Sequence, residues 1–238
     1  MMKQLLVALD VDTAADARAL ADELRDVVGG FKIGSRLFTS EGPAIVEDLA
    51  SRGDRIFLDL KFHDIPHTIA GAVAAATRLG VWMVNVHASG GSAMMRAARD
   101  AADEEAARHS RPAPLVIAVT MLTSLDQAAL TELGIGATVV EQVERFAALA
   151  AAAGLDGVVA SPQEIALIRR SRGPGFAIVT PGIRGAGDAK GDQSRTLSAA
   201  DALAAGASYL VVGRPIIAAA DPRAAAEHIA AECGDHAS

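Results

Sequence analysis

Short apolar runs rich in Val, Ile and Leu recur along the whole chain. Eight of them lack a regular polar alternation, a pattern that is typical of strands covered on both faces, as in a parallel sheet. They are LLVALD (5–10), FKIG (31–34), IFLDLK (56–61), WMVNVH (82–87), LVIAVT (115–120), DGVVA (156–160), AIVT (177–180) and YLVVG (209–213).

Each apolar run is followed by a stretch with helical character. The clearest predicted helices cover 13–28, 42–53, 67–80, 92–109, 138–154 and 162–170, and several end at glycine, a common C-cap. Eight strand-then-helix units in 238 residues predict an α/β protein, a (β/α)8 TIM barrel, with a single domain over 1–238. The alternative is a doubly wound open sheet. Such a sheet normally has a glycine-rich turn after its first strand, whereas this chain has LDVDTAADA there.

The composition excludes several classes of protein. Acidic side chains outnumber basic ones, 29 against 22, for a formal charge of −7, so no nucleic-acid partner is expected. The longest apolar run, 147–155, falls short of the roughly 20 residues that span a bilayer, and no membrane segment is expected. The lone Cys233 cannot form an internal disulfide, and the N-terminal residues lack a signal-peptide core. We therefore expect a cytoplasmic protein.

Charged residues collect at the ends of the apolar runs, where a barrel has its active site. The lysines are the most informative, because the chain has 18 arginines but only four lysines. Lys32 and Lys61 lie within or at the end of apolar runs. A lysine can gain or lose a proton as its surroundings dictate, which arginine cannot. The alternative for either lysine is a side chain that extends to solvent from a strand end.

The densest cluster of charged residues is DLKFHDIPHT (59–68). Asp59 and Lys61 are two residues apart on a predicted strand, so their side chains point to the same face and are expected to meet. Asp64 begins the following loop, and the alternative interpretation of this residue is the N-cap of the next helix.

Two histidines in the same segment have the spacing of a helical metal pair. His63 and His67 are four residues apart, which on one helix would bring both rings to the same side. Pro66 lies between them at the predicted turn and breaks that geometry. We therefore predict no metal site here.

Two further segments have features of a phosphate site. The loop 180–195 contains four glycines and two arginines, and VVGRP (211–215) combines the backbone N–H groups near Gly213 with the forked cation of Arg214. In barrels the loops after the last two strands frequently bind phosphate. The alternative for Arg214 is a solvent-facing side chain after an ordinary turn. The pair Gly90 and Gly91 in HASGGS also resembles a phosphate cradle, although such a pair commonly precedes a helix.

Together these motifs resemble the orotidine 5′-phosphate decarboxylase family. The segment LDLKFHDIPHT, preceded by ALD and FKIG and followed by NVHASGG, VTMLTS, TPGIR, GDQ and VVGR, carries the resemblance over essentially the whole chain. It implies a carboxy-lyase that converts orotidine 5′-monophosphate to uridine 5′-monophosphate and CO2, the last step of pyrimidine nucleotide synthesis. It also implies that the reaction needs no cofactor or metal.

The resemblance further implies the roles of the charged residues. Lys61 would be the catalytic proton donor, placed between Asp59 and Asp64, with Lys32 completing a network of alternating charges. The family is dimeric, and the second aspartate of its DxKxxD motif reaches across the interface. Asp64 and Thr68 would therefore serve the active site of the partner in a homodimer.

The substrate-binding positions follow from the same comparison of motifs. Asp10 and Lys32 resemble residues that contact the ribose, Thr123 would lie near the pyrimidine, and Pro181 would lie against the base. The positions that correspond to phosphate-binding residues are Arg184, Gln193, Gly213 and Arg214.

Two other functions share parts of this pattern. A 3-keto-gulonate-phosphate decarboxylase or a hexulose-phosphate synthase would share DxKxxD but would need Mg²⁺ for an enediolate. A catalytically idle barrel that senses uridine monophosphate would share the nucleotide site. The presence of Lys61 with its carboxylates argues against this second alternative, since a mere binder has no use for a proton donor.

Overall fold

The predicted (β/α)8 TIM barrel is confirmed. The computed structural model describes residues 1–183 and 197–234. Within these residues eight parallel strands pair in chain order, and the last pairs with the first, so the sheet closes. The strands are β1 Met2–Ala8, β2 Val28–Gly34, β3 Ile56–Phe62, β4 Met83–His87, β5 Leu115–Val119, β6 Gly157–Val159, β7 Ala177–Thr180 and β8 Tyr209–Val212.

Helices cover the outside of the barrel. They are α1 Ala14–Leu24, α2 Ser35–Glu41, α3 Ala44–Ser51, α4 Pro66–Arg78, α5 Gly91–Arg108, α6 Gln127–Glu132, α7 Val139–Ala152, α8 Ile165–Arg172, α9 Ala199–Ala204, α10 Arg214–Ile217 and α11 Pro222–Gly234. Thr13 caps α1, and Thr138 with Glu141 forms a capping box at the start of α7, as their sequence positions favour. In the described part of the chain, no helix is long and apolar enough to cross a membrane.

Strands β1 and β2 begin three residues earlier than the apolar pattern predicts, at Met2 instead of Leu5 and at Val28 instead of Phe31. The cause is close contact between the two backbones. A Cβ at Gly29 would lie 2.1 Å from the carbonyl oxygen of Lys3. Glycine therefore permits the strands to approach here, whereas in a sequence a Gly-Gly pair favours a turn.

Alternate strand residues face the barrel interior and the helices. One apolar cluster, inside the barrel, consists of Leu6, Ala8, Phe57, Met83, Ile117, Val179 and Val211. The residues between them belong to a larger cluster that packs against the helices. The same alternation turns Lys32, Asp59 and Asn85 inward, and these polar residues are buried.

A cation–π contact and a ring contact join the amino ends of β3, β4 and β8. The guanidinium of Arg55, just before β3, lies 3.6 Å from the ring centroid of Trp82, just before β4. Trp82 in turn makes an edge contact with Tyr209 at the start of β8, with 5.0 Å between the ring centroids. These contacts lie opposite the carboxyl ends of the strands, where a barrel has its active site.

Candidate active site

Four charged side chains with alternating signs, which we call the charged cluster, lie at the carboxyl ends of β1, β2 and β3. They are Asp10, Lys32, Asp59 and Lys61. Lys32 Nζ lies 3.4 Å from Asp10 Oδ1 and 3.3 Å from Asp59 Oδ2. Lys61 Nζ donates to Asp59 Oδ1 at 2.7 Å. The predicted contact between Asp59 and Lys61 is confirmed, and Lys32 does not extend to solvent, since it is only 8% exposed.

A β-bulge in β3 changes the backbone conformation at Lys61, one of the four residues of this cluster. Leu58 pairs with Val84 and Phe62 pairs with Val86, so β3 advances four residues, from 58 to 62, while β4 advances two, from 84 to 86. Lys61 lies inside the bulge with φ of 51°, in the left-handed region that non-glycine residues rarely adopt. Bulges next to active sites redirect side chains. The contact predicted from regular strand alternation thus forms on an irregular backbone.

A cavity of about 320 Å³ opens beside the charged cluster. Eight of the sequence-predicted site residues line it, namely Asp10, Lys32, Asp59, Lys61, Thr123, Pro181, Gly213 and Arg214. Apolar side chains supply most of the remaining wall: Ala8, Phe57, Val159, Val179, Ile183 and Val211. The cavity therefore combines charged groups with an apolar surface that suits a flat ring.

The other predicted site residues are not part of this cavity. Asp64 and Thr68 are exposed and do not belong to its lining, although Asp64 is only three residues from Lys61. Asp64 does not cap α4 either. The N-cap is Ile65, and Asp64 Oδ1 accepts the Ile65 N–H at 2.6 Å. Arg184 and Gln193 lie outside the described residues.

Two further pairs from the sequence, His63 with His67 and Gly90 with Gly91, lie close to α4 and α5. His63 precedes α4, so it does not share a helix with His67. Within residues 1–183 and 197–234, no group of three His, Cys, Asp or Glu side chains is arranged to hold a metal ion. A Cβ at Gly90 would lie 2.1 Å from Met94 Sδ. Gly90 thus packs against the side chain of Met94 at the start of α5.

His87 lies at the end of β4, near the charged cluster. Its ring centroid lies 5.3 Å from that of His63. Burial lowers the pKa of His87 below its ordinary value, and repulsion from His63 and Lys61 lowers it further. The lowered pKa disfavours a further cation beside Lys61.

Two residues that shape the site were not singled out from the sequence. Asn85 is fully buried and hydrogen-bonds to both Asp59 and Lys61. Its signal was a polar residue inside the apolar run WMVNVH. At Gly34, a Cβ would lie 2.9 Å from Lys32 Nζ, so glycine keeps the room that this ammonium occupies. No motif in the sequence indicates that role.

Comparisons with known proteins show the family of this chain. Residues 3–229 match the model of the Orotidine 5′-phosphate decarboxylase / HUMPS family. An orotidine 5′-phosphate decarboxylase of Moorella thermoacetica is 59% identical over 230 residues, which are 96% of this chain and 91% of that protein. One from Paramagnetospirillum magneticum is 50% identical over 98% of this chain and all of its own length.

Solved structures show the same relationship. The orotidine 5′-phosphate decarboxylase of Lactobacillus acidophilus superposes with a TM-score of 0.84 at 36% identity, covering 96% of this chain and 98% of its own. An uncharacterized conserved protein from Geobacillus kaustophilus superposes with a TM-score of 0.83 at 38% identity, covering 96% of this chain and 99% of its own. The match of sequence and fold spans nearly the whole length on both sides. This chain therefore belongs to the Orotidine 5′-phosphate decarboxylase / HUMPS family.

Proposed function

We propose that this protein decarboxylates orotidine 5′-monophosphate to uridine 5′-monophosphate, with Lys61 as the proton donor and without a cofactor. One observation supports this most strongly: Lys61 Nζ is held 2.7 Å from Asp59 in the wall of a cavity that also has an apolar side. The relatives that match over nearly the whole chain are named for this reaction. This reaction is the last step of pyrimidine nucleotide synthesis.

The chemistry requires a cation at the carbon that loses CO2. When the carbon–carbon bond breaks, its electron pair stays on the ring carbon. An ammonium fixed beside that carbon stabilises the developing charge and then transfers its proton to form the carbon–hydrogen bond. Lys61 fits this role because its side chain is 37% exposed toward the cavity mouth while Asp59 holds its Nζ in place. Lys61 then regains a proton from water.

The rest of the cavity matches the parts of a nucleotide. The apolar wall with Thr123 and Pro181 suits the pyrimidine, and Asp10 with Lys32 suits the ribose hydroxyls. Gly213 and Arg214 would bind the phosphate, which is the most distant group from the reacting carbon. Binding energy from such a remote group helps to orient the ring against Lys61.

We also propose a homodimer in which Asp64 and Thr68 complete the site of the neighbouring subunit. Asp64 is exposed and outside its own cavity, which fits a residue that acts elsewhere. The adjacent Ile65 is a large apolar side chain that is 65% exposed, as an interface would require.

The single Cys233 is buried and free, which supports the cytoplasm as the place of action.

An absorbance assay of orotidine 5′-monophosphate, run with and without a chelator, tests the proposed reaction. We expect the same rate in both samples, because the cation at the reacting carbon is an ammonium and not a metal. Loss of activity on chelation, with recovery on adding Mg²⁺, would instead indicate the enediolate chemistry of the sugar-phosphate enzymes. Binding of uridine 5′-monophosphate without any turnover would indicate a sensor.

Arg214→Ala is expected to weaken phosphate capture. Loss of a charge-assisted contact costs about 1.5–3 kcal/mol, so kcat/KM should fall roughly 10- to 150-fold. Orotidine without its phosphate should react slowly and be nearly indifferent to the substitution. Arg172→Ala, at an exposed arginine at the end of α8, is the matched control and should leave both rates unchanged. Equal losses for the two substrates with Arg214→Ala would contradict the phosphate role.

A further inference from the structure

Asn85 on β4 is a buried carboxamide directly opposite the bulge of β3. It is 0% exposed, and it lies between Val84 and Val86, the two residues whose pairing with β3 defines the bulge. Like Met83, two residues earlier, it faces the barrel interior. A buried amide in such a place costs free energy unless its polar atoms find partners.

The two ends of this carboxamide bind two residues of the charged cluster. Asn85 Oδ1 accepts the backbone N–H of Lys61 at 2.8 Å, and Asn85 Nδ2 donates to Asp59 Oδ1 at 2.7 Å. The orientation of the amide is settled by these partners, because a backbone N–H only donates and a carboxylate only accepts. The side chain of Asn85 thus accepts a hydrogen bond from the backbone N–H of Lys61, which lies within the bulge.

We propose that Asn85 is a positioning residue for the reaction. It holds the Lys61 backbone in its left-handed conformation and fixes the Asp59 oxygen to which Lys61 Nζ is bonded. One amide thereby anchors the Lys61 backbone directly and the Lys61 ammonium through Asp59. The inference rests on the proposed role of Lys61 as proton donor, and it adds β4 to the strands that position the ammonium.

Asn85→Leu removes both hydrogen bonds while keeping the branched four-atom side-chain skeleton. Misplacing a catalytic group by about 1 Å can cost roughly 10²-fold in rate, so we expect kcat to fall about 100-fold. KM for orotidine 5′-monophosphate and the affinity for uridine 5′-monophosphate should change no more than about threefold, because the nucleotide-binding residues lie on other strands. The matched control is Val116→Ala, on the neighbouring strand β5, which is buried against the helices and does not line the cavity. It should lower Tm without lowering kcat.

Asn85→Asp distinguishes positioning from simple support of the fold. A protonated carboxyl group offers one donor and one acceptor, as the carboxamide does, whereas the ionised form loses the donor to Asp59 and repels it. The charged and titratable groups around this position are Asp59 and Lys61 on β3, Lys32 on β2 and His87 on β4. The ratio of variant to parent kcat is expected to rise as the pH falls and the new carboxyl group gains its proton.

The outcomes separate this inference from the proposed function. If Asn85→Leu keeps the parent kcat, or if its loss appears in KM instead, or if the Asn85→Asp ratio is flat with pH in folded protein, the positioning role is wrong. The proton-donor role of Lys61 would still stand on the loss of activity in Lys61→Ala. Full activity of Lys61→Ala would instead overturn the proposed mechanism itself.

Discussion

Lys61→Ala is expected to lower kcat for decarboxylation by about 10⁴-fold or more. General acid catalysis contributes typically about 10²–10⁴-fold, and electrostatic stabilisation of the developing charge adds about 10²–10³-fold. Lys32 cannot substitute, because its Nζ is held between Asp10 and Asp59 at 3.4 and 3.3 Å. The measurement is single-turnover loss of absorbance of orotidine 5′-monophosphate.

The variant should remain folded and should still bind the product. Asp59 retains the Asn85 amide at 2.7 Å and the Lys32 ammonium at 3.3 Å, so the substitution leaves no unpaired buried carboxylate. Titration with uridine 5′-monophosphate should therefore give an affinity close to that of the parent protein. Lys3→Ala, at an exposed lysine near the opposite end of the barrel, is the control and should keep full activity. Appreciable turnover by pure, folded Lys61→Ala would refute the assignment.

Two inactive variants, Lys61→Ala and Asp64→Asn, are expected to restore each other when they are unfolded and refolded as an equal mixture. In a mixed dimer one site receives both lesions and the other receives neither, because each site takes Lys61 from one chain and Asp64 from its partner. Random pairing makes about half of the dimers mixed, so roughly one quarter of all sites should regain parent activity under two-fold symmetry. The activity of the mixture is measured against that of each variant refolded alone.

The matched control for this experiment pairs Lys61→Ala with Asp59→Asn. Lys61 and Asp59 are bonded within one chain at 2.7 Å, so every site of that mixture keeps a lesion and no activity should return. Mixed dimers are verified by mass in both experiments. If the mixture containing Asp64→Asn also shows no more activity than its separate variants, Asp64 acts within its own chain and the shared site is wrong.

Much of the site was predictable from the sequence, because the position of a residue along a strand and its type indicate whether it lies at the rim of the barrel. Asp10, Lys32, Asp59 and Gly213 stand at or near the carboxyl ends of apolar runs, and a parallel barrel brings all such ends to one rim. The cavity lining confirms that these residues meet. Asp64 was harder to interpret, because a loop aspartate before a helix has the same local pattern whether it caps that helix or faces a partner.

The apolar pattern and the residue types are enough to predict the architecture and the kinds of side chain at the rim of the barrel. Uninterrupted apolar runs can only be buried on both faces, and eight of them with helices between them favour a closed barrel over an open sheet. How those side chains are oriented depends on the packing of the strands. Only the register of β3 against β4 creates the bulge that turns Lys61 to φ of 51°, and only that register places Asn85 opposite it. Register depends on contacts between strands distant in sequence, and no local pattern encodes those contacts.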